Sequence, residues 1–582
     1  MSYLNFESRY DRFPETKVPG FEGAAWEGWE AVGRALKEQA KDERVVIVDC
    51  YPGTYDDEIL PKVRKAVQPD IEILMEDLFY SGEKLTEMMA PNLTDDRVRG
   101  IMYFGRVMDF IDPVKLEEAR KTAKEGKKVL IYGFAAALVS GEGLLVYADM
   151  ARWELQLRYR KGMPNYKQTN YDEDVLKKTK RGFFIEWRIA DRHKETLYDR
   201  IDLYLDTNVA GLPKMTTGAA WLSGLKQLTA KPFRLVPYFD PGVWGGQWMK
   251  EVCHLDPKEK NYAWSFDGVP EENSLYLNID GVRIETPAMN LTLYQPKGFI
   301  GERNYARFGA EFPIRFDFLD TMGGQNLSLQ VHPTTEYMYR KFGMHYTQDE
   351  SYYILDCGED GGVYLGFKEG VDKDAMLKDL EEAQQGLHPF DAEKYVNRWP
   401  AKKHDHFLIP AGTIHCSSAN CMVLEVSATP YIFTFKLWDW DRLGLDGLPR
   451  PIHIEDGKHV LQYDRTTAWV KENLVSNFTP VRKTEAYEEV KTGLHRLEFI
   501  ETHVFTVYDK VTFVSDGEVA MCNLVEGQEA VIESTEGAFS PFTVHYAETF
   551  IIPAGAGDVT IRSLSGEVIK VLRANVRQGI TS

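Results

Sequence analysis

"FLIPAGTIHC", residues 407–416, returns later in the chain as "FIIPAGAGDV", residues 550–559. Each copy reads as an apolar strand, a Pro-Ala-Gly turn and a return strand. A strand–turn–strand unit met twice implies two related β-barrels. The copies differ in chemistry, because His415 in the first aligns with Asp558 in the second. A function that needs this histidine is therefore expected in one barrel only.

The surroundings agree. From about Lys231 onward the strands are short and Gly/Pro turns are frequent, as in "PGVWGGQW", which is all-β texture. One helical insertion, "DKDAMLKDLEEAQQ", interrupts it. The earlier part of the chain is different. "ERVVIVDCYPG" is a buried strand followed by a turn, and "VKLEEARKTAKEGKKVLIYGFAAAL" is a helix, a Gly turn and a second strand. Alternating helices and apolar strands imply a parallel α/β sheet. The Gly- and Thr-rich "AGLPKMTTGAA" suggests a linker. The expected organisation is multidomain: an α/β domain over 1–210, a linker over 211–230, one barrel over 231–480 and a second over 481–582.

Bulk composition narrows the partners. The chain has 582 residues and a formal net charge of −20, which argues against nucleic acid or an anionic membrane surface. The N-terminus lacks the basic-then-apolar layout of a signal peptide. The most apolar stretch, "GFAAALVSGEGLLVYADM", is interrupted by Ser140 and Glu142 and is too short to span a bilayer. Six scattered cysteines without a CxxC read as thiols of a reduced, cytoplasmic protein.

The candidate site starts at "NLSLQVHPTTE", residues 326–336. Ser328, Gln330 and His332 alternate with Leu327, Leu329 and Val331, so hydroxyl, amide and imidazole share one strand face. Glu350 opens another apolar strand, and His415 follows the turn at a barrel mouth. Two imidazoles and a carboxylate from separate strands suit zinc or a similar divalent ion. By spacing alone the same residues are also the ordinary wet face of an antiparallel strand.

Six ordered segments carry a resemblance. "PYFDPGVWGGQWMKE", "LSLQVHPTTEY", "DESYYILDCG", "YLGFKEGV", "HFLIPAGTIHC" and "LWDWDRLGLDGLPRPIHIE" resemble the class I mannose-6-phosphate isomerases over roughly residues 231–582. That family is a duplicated cupin, two jelly-roll barrels with one metal site. The resemblance implies one Zn²⁺ per chain held by Gln330, His332, Glu350 and His415, with Ser328 and Gln348 at the substrate. It implies reversible conversion of mannose 6-phosphate to fructose 6-phosphate through a cis-enediolate. Two positions depart from the family pattern. Gln348 stands where the family has a lysine, and an amide cannot titrate. Lys436 stands where the family has an arginine, keeping the catalytic charge without the planar fork. His345, nearby, reads as an ordinary loop histidine.

The N-terminal third loosely resembles P-loop nucleoside kinases such as uridine kinases, on "RVVIVDCYPGTYDDE" and "RGFFIEWRIADRHKETLYDRIDLYLDTN". A P-loop needs GxxxxGK[ST]; here Val48 takes the first glycine position and no lysine precedes Thr54. The expectation is a degenerate kinase-like module with at most weak nucleotide binding through Arg181, Arg188 and Arg192. The basic run "KKTKRGFFIEWRIADRHK" reads as a solvated helix face. The sequence leaves two alternatives to an isomerase: a non-catalytic sugar-phosphate sensor and a bifunctional sugar kinase-isomerase.

Overall fold

The computed structural model describes residues 2–428, 433–445, 447 and 450–577. It divides into two compact units. One comprises Met1–Phe13, Leu228–Pro270 and Pro296–Ser582, and the other Pro14–Gln227 with Glu271–Gln295.

The first unit holds the two barrels, each built from two antiparallel sheets. In the first barrel a six-stranded sheet runs His406–Ile409, Glu350–Cys357, Cys421–Ala428, Ile314–Asp320, Trp264–Gly268, Tyr238–Asp240. The facing five-stranded sheet runs Val396–Pro400, Gly362–Phe367, His415–Ser417, Leu329–Val331, Phe435–Trp438. The second barrel repeats the path: Thr549–Ile552, Ala520–Glu526, Ile569–Val576, Ile500–Val507, Tyr487–Gly493, Thr479–Lys483 in one sheet. The other sheet runs Phe542–His545, Glu529–Ser534, Val559–Ser563, Lys510–Phe513. In both barrels the strand that ends in Ile-Pro-Ala-Gly is the edge of the larger sheet. The helical insertion is Lys373–Gln384, capped by the Asp372 carboxylate on the amides of Asp374 and Ala375.

The barrels share a buried ionic cluster. Tyr10 donates to Asp267, Asp267 also accepts the Thr549 amide at 2.9 Å, and Arg234 pairs with Glu548 at 2.8 Å. Through Tyr10 the first thirteen residues belong with the barrels, and not with the α/β domain in which the sequence reading placed them.

The second unit is an α/β layer structure. Its seven-stranded sheet has the spatial order Ala25–Glu27, Lys214–Thr217, Leu203–Asp206, Leu144–Asp149, Val45–Cys50, Val129–Gly133, Ile71–Leu74. The last five are parallel and the first two antiparallel. Every residue of Val45–Cys50 and Leu144–Asp149 is buried, as a central strand covered by helices on both faces requires.

Two boundary expectations and one about solvation need correction. Residues 211–230 are not a linker: they form Lys214–Thr217 and Gly218–Gln227, with Met215, Ala220 and Trp221 fully buried. A Cβ on Gly218 would lie 1.7 Å from the Ile201 carbonyl oxygen, so this glycine serves close packing rather than flexibility. Residues Glu271–Gln295, placed by sequence in the first barrel, belong to the α/β unit, where Ser274–Ile279 and Val282–Pro287 form a hairpin joined by Glu15–Val18. The basic run is not a solvated face. Lys178, Lys180, Arg181 and Lys194 are buried, each with its own acceptor: Lys178 on the Met163 and Tyr171 carbonyls, Lys180 on the Asp96 carbonyl, Arg181 on Glu186 and Lys194 on Asp149.

The hairpin segment supplies a test of this unit. Glu271 bridges Arg152 at 2.8 Å and Arg188 at 2.7 Å. Burial pushes its carboxyl up, but Arg188 and Arg152 outweigh that and hold it at about 2. Because the folded value lies below the unfolded one, this contribution is complete above the ordinary carboxylate range of about 4.3 and is lost as pH falls through about 2. Glu271→Gln is expected to cost about 3 kcal/mol by removing the carboxylate that Arg152 and Arg188 share, leaving Arg152 to Asp191 and Arg188 to the Phe183 carbonyl. Urea unfolding of the variant should show that loss at pH 7 and a flatter acid limb; unchanged stability would contradict it.

Candidate metal centre

The strand Leu329–Val331 lies between His415–Ser417 and Phe435–Trp438. Its register sets Gln330 opposite His415 on one side and opposite Lys436 on the other. Directly opposed residues share a face, so amide, imidazole and ammonium group together. Glu350 enters from the facing sheet, at the start of Glu350–Cys357.

The ligand atoms converge. His415 Nε2 lies 2.7 Å and His332 Nε2 3.1 Å from Glu350 Oε1, and the Gln330 amide nitrogen lies 3.3 Å from His415 Nε2. His332, Glu350 and His415 are all fully buried. The outer ring nitrogens are committed elsewhere: His332 Nδ1 to the Phe433 carbonyl at 3.2 Å and His415 Nδ1 to the Thr413 carbonyl at 2.8 Å. A carbonyl can only accept, so each Nδ1 carries the proton and each Nε2 presents a lone pair. Both Glu350 oxygens and His332 Nε2 are buried without a hydrogen-bond partner. Lone pairs gathered at one buried point, with no proton to share, fit a cation.

The other expected site residues are placed differently. Gln348, two residues before Glu350, is buried, and its carbonyl oxygen has no donor among the described residues. Ser328 is buried and bonded to protein groups. It donates to Asp439 Oδ1 at 2.6 Å and accepts from Arg450 at 3.0 Å, while Asp439 also pairs with Arg442 at 2.7 Å. Asp446, Leu448 and Pro449 of that segment lie outside the described residues. His345 is exposed.

Two groups escaped the sequence reading. Arg450 was one of several arginines in a turn-rich segment. Glu425 was a lone charge inside the apolar strand Cys421–Ala428, which was the available signal. It is paired across from Tyr352 on one side and Asp317 on the other, on the sheet face that carries Glu350. Burial, Glu350 and Asp317 push its carboxyl well up, with Arg315 opposing.

In the α/β unit the phosphate-loop position is filled by protein. Val48 is inside the central strand. The Arg158 guanidinium donates to the Gly53 carbonyl at 2.9 Å and stacks 4.1 Å from the Tyr55 ring. A Cβ on Gly53 would lie 2.2 Å from the Leu155 side chain. The helix that follows opens with Asp56, Asp57 and Glu58, which repel a phosphate from the one end that would attract it. Arg181 and Arg188 are paired with Glu186 and Glu271, and Arg192 donates to the Gly105 carbonyl. Nucleotide binding by this unit finds no support in this arrangement.

Among known proteins, the relatives of this chain are mannose-6-phosphate isomerases, matched over as much as 58% of its length. The mannose-6-phosphate isomerase ManA of Bacillus subtilis is 25% identical over 244 residues, 40% of this chain and 69% of that one. The mannose-6-phosphate isomerase of Streptococcus mutans is 25% identical over 281 residues, 48% of this chain and 78% of that one. Among solved structures, the mannose 6-phosphate isomerase from Bacillus subtilis superposes with a TM-score of 0.48 at 17% identity, covering 59% of this chain and 99% of its own. Residues 28–230 match a family described as a domain of unknown function, DUF8485.

Proposed function

We propose that the chain is a metal-dependent aldose–ketose isomerase that interconverts mannose 6-phosphate and fructose 6-phosphate. The observation that carries the proposal is the convergence of His332, Glu350 and His415 on one buried point, in a chain whose relatives are isomerases of that substrate. Gln330, His332, Glu350 and His415 would hold one Zn²⁺. With a single anionic ligand the ion keeps net positive charge and supplies Lewis acidity to a substrate oxygen.

The chain's own residues do the rest. Lys436, across the strand from Gln330, sets positive charge beside oxyanion character developing at C1 and C2. The unpartnered Gln348 oxygen accepts a sugar hydroxyl. Gln348 cannot move a proton, so a titratable neighbour must. Glu425, whose carboxyl burial pushes up on the same sheet face as Glu350, is the neighbouring carboxyl we assign to that role. A coupled assay for fructose 6-phosphate formed from mannose 6-phosphate, on protein of verified metal content, tests the reading; no turnover of any aldose 6-phosphate would favour the sugar-phosphate sensor, which the Gln348 substitution keeps in view.

The α/β unit we read as kinase-like in fold but without phosphoryl transfer. The support for the fold is the parallel order second, third, first, fourth, fifth around the central strand Val45–Cys50. The full chain is expected to hydrolyse no ATP above background, and hydrolysis that disappears in Thr54→Ala would contradict this. No helix among the described residues is long and apolar enough to cross a membrane. A cytoplasmic setting is part of the same proposal and rests on six free thiols.

A further inference from the structure

The second barrel keeps a cavity at the place where the first gathers its metal ligands. The equivalence follows from register. In the first barrel Glu350 pairs with Ile409, the residue before the Pro-Ala-Gly turn; in the second, Ala520 pairs with Ile552 at the matching point. Opposite His415 stands Gln330, whereas opposite Val559 stands Phe513. Val559, and not Asp558, is the buried residue facing the interior. Asp558 is half-buried and accepts the Ser515 amide at 2.8 Å, which corrects the alignment drawn from sequence. Carboxylate, imidazole and amide have thus become Ala520, Val559 and Phe513.

One strand over, the charge is reversed. Tyr352 pairs with Glu425 in the first barrel, and its counterpart Cys522 pairs with Arg573 in the second. Arg573 lines a cavity of about 140 Å³ together with Phe513, Ala520, Val559 and Asn575, and the carboxylates Asp516 and Glu518 line it as well. Its guanidinium carbon sits 4.9 Å from the centre of the Phe505 ring and 4.8 Å from that of Phe513. Among the described residues Arg573 forms no hydrogen bond or ion pair, and its Nε is buried without a partner. The Asn575 side-chain oxygen is likewise buried and unpartnered, while its nitrogen donates to the Val576 carbonyl at 3.3 Å.

The nearby acids are engaged elsewhere. Glu489 holds His503 at 2.8 Å, and Glu501 holds Lys491 at 2.7 Å. At the rim, Glu518 accepts the amides of Arg303 and Asn304, and Asp516 accepts the Glu518 amide at 3.1 Å. Arg573 is half-buried, its charge is felt by Glu489 without a direct ion pair, and its guanidinium, held between two rings, keeps its donors for a ligand. We propose that this cavity binds a small oxyanion bearing a hydroxyl, of the size of hydrogen phosphate. The Arg573 fork takes the anionic oxygens, and the Asn575 oxygen accepts the hydroxyl. The space is too small for a hexose phosphate, so this site is distinct from any substrate site of the first barrel and does not rest on the isomerase reading.

The test is calorimetric titration of the full chain with inorganic phosphate, for wild type, Arg573→Met and Ala520→Glu. Arg573→Met removes the charge at similar length. Ala520→Glu leaves the arginine but gives it an internal carboxylate in the cavity. Each is expected to weaken phosphate binding about tenfold or more, and acetate, which lacks the hydroxyl, should bind wild type several-fold more weakly than phosphate. Where Arg573→Met fails to fold, as judged by circular dichroism, Ala520→Glu decides. No phosphate uptake by wild type, or an unchanged Kd in a folded variant, overturns the proposal; phosphate held only in the first barrel would give that unchanged Kd.

Discussion

A His332→Ala, His415→Ala double variant is expected to lose its metal, from about one ion per chain to none, and its isomerase turnover with it. The reason is geometric. The two Nε2 atoms lie 3.1 and 2.7 Å from Glu350 Oε1, and removing them leaves one carboxylate and one amide as ligands. Residues that merely orient a ligand typically cost 10–100-fold in affinity or activity, so the loss of two direct ligands should exceed ~100-fold. Elemental analysis of purified protein checks it. Metal retained in the double variant would show that the ion, if present, sits elsewhere. Glu350→Gln should behave similarly, because a buried amide cannot replace the only anionic ligand.

The second large effect concerns proton handling. Lys436→Ala is expected to lower kcat more than it changes KM, since its charge matters most when the substrate oxygen becomes anionic. Gln348→Lys is expected to raise kcat, by as much as roughly 10²-fold if proton transfer limits the rate. Gln348 is buried beside Glu350 with an unpartnered oxygen, so a lysine there arrives next to a carboxylate and near the reacting carbons. Glu425→Gln should abolish the pH dependence that a buried carboxyl imparts on kcat/KM while leaving the metal in place. Rates indifferent to all three substitutions would mean that the proton is moved by another group.

Much of the barrel half was legible because its signals are local. The repeated "IPAG" turn, alternation around Gln330 and His332, and a strand-initial glutamate each survive as short strings, and the structure brings Gln330, His332, Glu350 and His415 together. What was missed depended on pairing between distant strands. Glu425 looked like one charge in an apolar run until register set it across from Tyr352 and Asp317. Ser328 looked available until Asp439 and Arg450 closed on it. Asp558 aligned with His415 by string, yet a one-residue offset in a strand moves a side chain to the opposite face, and Val559 takes the inward place. The α/β unit misled in another way. Glycine and threonine between residues 210 and 220 suggested a linker, whereas Gly218 is glycine because a carbonyl lies where its Cβ would be. Likewise, lysines and arginines of residues 177–194 read as solvated because their acceptors, mostly backbone carbonyls and carboxylates remote in sequence, leave no trace near them.

The most direct measurement is a coupled assay of mannose 6-phosphate conversion on one protein preparation, before chelator, after chelator and after return of zinc. The account predicts fructose 6-phosphate formation that chelation abolishes and about one zinc per chain restores. Conversion that persists in protein shown to be free of metal, or no conversion with metal verified at His332, Glu350 and His415, would contradict it.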